Sequence, residues 1–352
     1  MVDVAIVGYG QVPSMRSAAI TETQMVLDVT QQALGAAGVD RHDIGFTVSG
    51  SCDYLAGQAF AFVQTIEAIG AWPPISESHV EMDGAWAMYE GWTRLQEGDI
   101  DLVLVYSHGR SSPGKPWQVW PLQLDPYHLA PLGLDPASLA ALQARALLDA
   151  DVATERDFAE TVVRNRANAI DNEYAQVSGT FDADALLAEP YVRNPLRRHD
   201  LPPISDGAAA VVLAAGDRAA KLAERPAWIT GIDHRIDIHQ PGMRDLTESP
   251  STALAARGAG LDRGPVEVAE LSAPFGPQEI VLRRALGLDD SVAVNPSGGA
   301  LAANPVMVTG LVRMIEAARQ VTEQGKERVL AHATAGQALQ QNLVCILEGS
   351  PS

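Results

Sequence analysis

"VNPSGGALAANPVMVTGLVRMIEA" runs from Val294 to Ala317 and reads as a strand end, two turns and an apolar helix. Gly298 and Gly299 let the backbone approach a ligand or another strand closely, because glycine has no Cβ and accepts positive φ. Asn304-Pro305 then opens a helix. The free N–H groups of its first turn and the Asn304 amide can face an oxyanion. The plainer reading, a tight structural turn and a capped helix, has equal weight on these residues alone. A coarse echo lies in the first part of the chain. "VEMDGAWAMYEG", Val80 to Gly91, is again strand, turn at Asp83-Gly84 and helix. Two such units suggest an internal duplication.

Working outward, "VDVAIVGYG" is a buried strand ending in glycines, and "TETQMVLDVTQQALGAAGV" is a helix capped by Thr21 and stopped at Gly38. "IGFTVSG" and "DIDLVLVYSHG" are further strands, the second apolar enough to be central in a parallel sheet. Strands alternating with helices through short links predict a doubly wound α/β fold. Ser111 to about Leu201 differs in texture. A Pro- and aromatic-rich stretch precedes two long helices, and the region reads as an insertion over the sheet. "ISDGAAAVVLAAG" returns to core-strand character, and "AWITGIDHR" opens a second α/β unit near residue 227.

The bulk numbers exclude several classes. The chain has 352 residues, 47% hydrophobic and 20% charged, with a formal net charge of −19. That acidity argues against nucleic acid or an anionic membrane as partner. "RNPLRRHD", Arg193 to Asp200, is the one dense basic stretch and reads as a solvated loop. Two cysteines, Cys52 and Cys345, rule out a disulfide framework and a four-cysteine zinc site. No metal is expected. The start of the chain is already a strand and a glycine turn, without a signal-peptide pattern, and no run is long enough to span a membrane. The expectation is a cytoplasmic protein.

"VAIVGYGQVP", "EGDIDLVLVYSHG", "SDGAAAVVL" and "NPSGGALAANPVMVTG" stand in an order and spacing that resembles the thiolase superfamily over essentially the whole chain. With "SGSCDYLAG" and "VEMDGAW", the resemblance is closest to the lipid-transfer-protein branch, akin to the thiolase part of sterol carrier protein x. It implies a five-layer fold of two duplicated βαβαβ halves. Residues 1–110 and 201–222 would form the N-terminal half, 111–200 an inserted loop domain, and 223–352 the C-terminal half. It also implies a dimer, a coenzyme A thioester as substrate with no covalently bound cofactor, and a partner protein with a zinc ribbon and an OB-fold. Several members of that branch are CoA-ester aldolases of steroid side-chain degradation.

The resemblance places Glu81 where thiolases carry the nucleophilic cysteine, three residues before Gly84. Ser272, Ala273, Pro274 and Phe275 replace another catalytic motif. Ala303-Asn304-Pro305 stands for Gly-His-Pro, and no cysteine occurs between Val329 and Val344. A thiolase forms an acyl-thioester on its own thiol, so that reaction is excluded on chemical grounds: a carboxylate is far too weak a nucleophile toward a thioester. Retro-aldol cleavage of a β-hydroxyacyl-CoA needs only a base and donors for the enolate. Base candidates are Glu81, Asp83, Tyr127 and His332, the last of which reads as a strand end before a glycine turn in "LAHATAGQALQQNLVCILE". Asn304 and the backbone at Gly298 and Gly299 would hold the enolate, and Trp117, Trp120, Tyr127 and His128 would line an acyl channel. The alternative is a catalytically degenerate subunit that supports an active thiolase-like sister chain. A lipid carrier is the third possibility.

Overall fold

The computed structural model describes residues 2–57 and 59–351, except for the Trp117 side chain. The strands are β1 (Val4–Gln11), β2 (Phe46–Gly50), β3 (Glu77–Val80), β4 (Leu102–Arg110), a small hairpin of β5 (Tyr191–Arg193) and β6 (Leu196–Arg197), β7 (Asp206–Ala215), β8 (Ala227–Ile236), β9 (Val268–Leu271), β10 (Ala293–Val294), β11 (Arg328–Ala335) and β12 (Gln341–Glu348). Among the described residues ten of them form one sheet, in the order β10-β9-β11-β12-β8-β1-β7-β4-β2-β3.

That order is one pattern used twice. In the first half β1 pairs antiparallel with β7, β7 antiparallel with β4, and β4 and β3 run parallel to β2. In the second half β8, β12, β11, β9 and β10 repeat the same senses in the same sequence. The halves meet edge to edge where Ala5 and Ile6 of β1 pair with Trp228 and Ala227 of β8. The duplication read from two strand-turn-helix segments is thus a property of the whole topology.

Side-chain alternation builds the layers, because successive residues of a strand face opposite sides. On β7, Ala209, Val211 and Leu213 face the inner core, while Ala208, Ala210, Val212 and Ala214 face the outer one. On β12, Leu343, Cys345 and Leu347 face inward, and Val344 and Ile346 outward. Strands buried on both faces need continuous apolar runs, as "AAAVVLAA" has. The helices Gly84–Leu95 and Thr309–Thr322 fill the inner layer between the halves. The helix Glu22–Ala37 covers the first half, and Pro250–Gly258 with Gly276–Leu286 covers the second. Thr21 caps the Glu22–Ala37 helix through a side-chain bond from the Gln24 N–H, and Gly38 ends it in the left-handed region at φ 64°.

Two glycines let the inner helices approach their neighbours. A Cβ on Gly84 would lie 2.6 Å from the Ser107 Cβ, and one on Gly310 would lie 2.4 Å from the Asp83 carboxylate. The inner helix of the second half begins at Thr309, not at Asn304-Pro305. The intervening residues wind through Met307 at φ 73°, whose carbonyl accepts from the Gly84 N–H and the Ser107 hydroxyl.

Charged groups are buried where loops must be held. Glu270 on β9 is 0% exposed and pairs with Arg313 of the inner helix at 2.7 Å. Glu270 also accepts from the Ser297 N–H at 3.0 Å and the Ser297 hydroxyl at 2.6 Å. Burial pushes the Glu270 carboxyl up, and Arg313 opposes it. Arg313→Met leaves that carboxylate buried with no cation and is expected to cost about 3–5 kcal/mol of unfolding free energy. Glu270→Gln combined with Arg313→Met should recover more than half of the loss. Urea midpoints of the three proteins check both expectations.

Candidate functional site

A cavity of about 180 Å³ opens where the two inner helices begin. Its walls come from the turn at Asp83, the loop after β9 (Ser272, Pro274, Phe275), Gln278, the stretch Asn304–Thr309, the turn Thr334–Leu339, and Trp120 and Gln123 of the segment between β4 and β5. Parallel strands β9 and β11 point their carboxyl ends at it, the usual place for a ligand in an α/β sheet.

Asp83 is the N-cap of Gly84–Leu95 and is 4% exposed. Its Oδ1 accepts from the Ala85 N–H at 2.9 Å and the Leu311 N–H at 3.1 Å, and its Oδ2 from the Gly310 N–H at 2.9 Å. One carboxylate therefore caps an inner helix in each half. Burial pushes its pKa up, against the pull of those three N–H groups and of Arg313. Asp83 is the one titratable side chain lining the cavity among the described residues. Asn304 takes a bond on Oδ1 from the Thr309 hydroxyl at 3.0 Å, which leaves the Nδ2 end as the amide's donor at the cavity. Gln278 contributes a buried Oε1 without a partner among the described residues.

The turn on the opposite wall is held in a costly shape. Ala338 and Leu339 sit at φ 50° and 59°, a region non-glycine residues rarely occupy. Arg244 donates to the Ala338 and Gln337 carbonyls at 3.1 and 2.8 Å and keeps the turn in place. Arg244, Gln278 and Met307 were not among the sequence expectations. Only Met307 lies in a stretch whose turn-rich pattern marks it for attention.

The expected site residues divide sharply. Asp83 and Asn304 line the cavity together, as does Trp120. Glu81 does not: its side chain is exposed, accepts from the Asp53 N–H at 2.6 Å, and lies 3.5 Å from His79 Nε2. The chain turns after β3 so that Asp83, two residues on, faces inward instead. His332 is inside β11 rather than at its end, fully buried, with Nε2 3.0 Å from Asn342 Oδ1. Gly298 and Gly299, at φ 98° and 61°, pack near Ala169 and Asn295 and are not on the cavity wall. Tyr127 is 82% exposed and His128 is also exposed, both on a turn held by Asp125. The Trp117 side chain lies outside the described residues. Neither cysteine lines the cavity: Cys52 and Cys345 are buried, and burial pushes both thiols up. The basic stretch Arg193–Asp200 is partly neutralised, Arg193 by Asp135 and Arg197 by Glu155.

Among solved structures, the chain is similar to human mitochondrial 3-ketoacyl-CoA thiolase, with a TM-score of 0.80 at 16% identity over 99% of both chains. The fold is the thiolase fold. The same architecture is shared with an aldolase described as Ltp2-ChsH2(DUF35), at a TM-score of 0.84 and 21% identity, covering 99% of this chain and 98% of that one. By sequence, the thiolase-fold chain is 26% identical to an acetyl-CoA acetyltransferase of Methanothermobacter thermautotrophicus over 94% of each protein. It is 25% identical to the benzoylsuccinyl-CoA thiolase subunit BbsB of Thauera aromatica over 52% of this chain and 54% of that protein. No family model matches. Among the described residues no helix is long and apolar enough to cross a membrane, and no group of three or more His, Cys, Asp or Glu side chains is placed to hold a metal ion.

Two buried histidines give the fold a pH dependence of known sign. Burial pushes the imidazoles of His108 and His332 down from 6.5 to about 4. Between those values the unfolded chain takes up protons that the folded one refuses, so their contribution to stability is lost as pH falls from about 6.5 to 4. Asp83 and Glu270, shifted up, act in the opposite sense. Either His108→Gln or His332→Gln should therefore reduce the slope of unfolding free energy against pH by up to about 1.4 kcal/mol per unit in that window. Urea unfolding at a series of pH values measures it.

Proposed function

We propose that this chain is the CoA-thioester subunit of a retro-aldolase complex that cleaves a β-hydroxyacyl-CoA without a cysteine nucleophile. The observation that carries the reading is the cavity itself. A buried carboxylate with a raised pKa and an oriented amide meet there, and no thiol is on its wall among the described residues. In the reaction Asp83 takes the proton of the β-hydroxyl. The Cα–Cβ bond breaks, its electron pair passes to Cα and onto the thioester oxygen, and Cβ becomes a carbonyl. Asn304 Nδ2 donates to the enolate oxygen, and the proton held on Asp83 passes to Cα, which gives the shorter acyl-CoA and restores the carboxylate. No oxidant or second substrate is consumed. A raised pKa brings a carboxylate nearer the range where it works as a base. The CoA thioester is the substrate class of the thiolases the chain is similar to.

A second reading has its own observation. Both Asp83 oxygens already accept backbone N–H groups, the arrangement of a structural cap. In that reading the chain supports a catalytic thiolase-like sister. The β3 strand is one of the two edges of the sheet, and Tyr54, Phe60, Val63 and Trp72 are exposed on the segments before it. An open edge flanked by large apolar side chains suits a partner chain. Partners of either reading are a thiolase-like chain and an OB-fold protein with a zinc ribbon.

Retro-aldol cleavage is measured with the chain alone and with such partners, on short-chain and steroidal β-hydroxyacyl-CoA thioesters. Asp83→Asn and Asn304→Ala should each lower kcat/KM by about 100-fold or more, with Glu81→Gln changing it by less than about 3-fold. Full activity of the complex with Asp83→Asn and Asn304→Ala would assign catalysis to the sister chain. Thiolysis of a 3-ketoacyl-CoA by free CoA would overturn the cysteine-free mechanism.

A further inference from the structure

Met307 is a wall of a second space. About 100 Å³ lies on its other side, at the carboxyl ends of β2 and β4, lined by Ser51, Cys52, Ala61, His108 and Arg110. The two spaces adjoin across Met307 and Gln123: Gln123 lines the larger cavity and donates to Cys52 Sγ at 3.6 Å. The duplication explains the location. Ser51 follows β2 as Ser272 follows β9, so the side pocket is the first-half counterpart of the wall that β9 and β11 give the main cavity.

Three polar atoms of the lining residues have no hydrogen bond among the described residues: Ser51 Oγ, His108 Nε2 and Arg110 Nε. Arg110 Nε lies 3.9 Å from the Asp206 carboxylate, whereas Ser51 and His108, 1% and 6% exposed, have no ion partner there. A buried polar group without a hydrogen bond is costly, so the Ser51 and His108 atoms on the wall of one void call for a partner. The charge on the pocket wall is compensated. Arg110 lies 3.3 Å from Glu22 and 3.9 Å from Asp206. The imidazole is neutral at neutral pH because burial has lowered it. Glu22 and Arg110, both on the wall, offset each other in charge, and Leu55 and Ala61 supply apolar contact. The fitting ligand is small, neutral and rich in acceptor capacity. A carbonyl oxygen has two lone pairs for two donors and adds no donor that must itself be satisfied.

We propose that the side pocket binds a small neutral aldehyde or ketone, its oxygen accepting hydrogen bonds from Ser51 and His108. The inference rests on the retro-aldol reading and narrows it. The carbonyl fragment released at Cβ leaves Asp83, and when it is a compound of a few carbons this pocket, across Met307 from the main cavity, takes it up. A fused ring system exceeds a space of this size.

The test uses the full chain, in complex with its partners where they are needed, with 13C-labelled histidine, butanone as probe and no acyl-CoA. The His108 signal is assigned by its loss in His108→Gln. A saturable shift of that signal is expected, with binding about 10-fold weaker in Ser51→Ala, the loss of one hydrogen bond, and abolished in Ala61→Leu, which fills the space. No saturable shift in the native protein, or an unchanged one in both Ser51→Ala and Ala61→Leu, overturns the proposal and leaves water as the occupant. Turnover of a β-hydroxyacyl-CoA that releases butanone separates the two claims. Binding without any turnover removes the aldolase reading and keeps the pocket. Turnover with unaltered kinetics in both Ser51→Ala and Ala61→Leu keeps the aldolase and removes the pocket.

Discussion

The Asp83 carboxylate is the constraint on which the centre of this molecule depends. The first N–H groups of any helix lack intrahelical partners, and a helix start buried without a cap is costly. Here two helix starts are buried against each other at the middle of a five-layer fold. A single side chain supplies acceptors to both, from Ala85 in one half and from Gly310 and Leu311 in the other. Gly310 has no Cβ because the carboxylate occupies that space. Part of the geometry of the cavity follows, since two of its walls are the turns leading into these helices.

Buried charges hold the second half's loops around the cavity. Glu270, Arg313 and Ser297 tie β9, the inner helix and the turn after β10 into one buried network. Glu279 adds a second anchor, accepting from Asn165 and Asn295 at 2.7 and 2.9 Å and pairing with Arg164. These groups do not touch the cavity, yet they fix the backbone of the loops that do. Arg244 does the same for the Gln337–Ala338 turn. In a low-dielectric interior such networks specify one arrangement only when nearly all their members are paired.

Much of the architecture was legible in the sequence, because burial on both faces leaves its mark as uninterrupted apolar runs and because helix ends carry their own chemistry. "AAAVVLAA", Thr21 and Gly38 behave as read, and the strand-turn-helix echo proved to be a full duplication. The site was legible only in outline. Which of Glu81 and Asp83 faces inward is decided by how the chain leaves β3, a matter of two residues that pattern does not resolve. His332 looked like a strand end because a glycine follows nearby, but pairing with β12 carries β11 on to Ala335. Gly298 and Gly299 answer to a helix more than a hundred positions earlier in the chain, and Arg244 reaches its turn across nearly as great a separation. Contacts of that kind leave no local signal.

The matched strand order of the two halves has a consequence for how such a molecule can change over time. Each half offers the same scaffold: parallel strands ending beside the start of an inner helix. The second half's strand ends line the cavity around Asp83 and Asn304, and the first half's strand ends frame the smaller space at Ser51 and His108. A protein built this way carries a spare of its own binding geometry. Side chains at one set of strand ends can change while the other set stays, with Asp83 and Met307 shared between them, so loss of a reaction and gain of a specificity can proceed in a single chain.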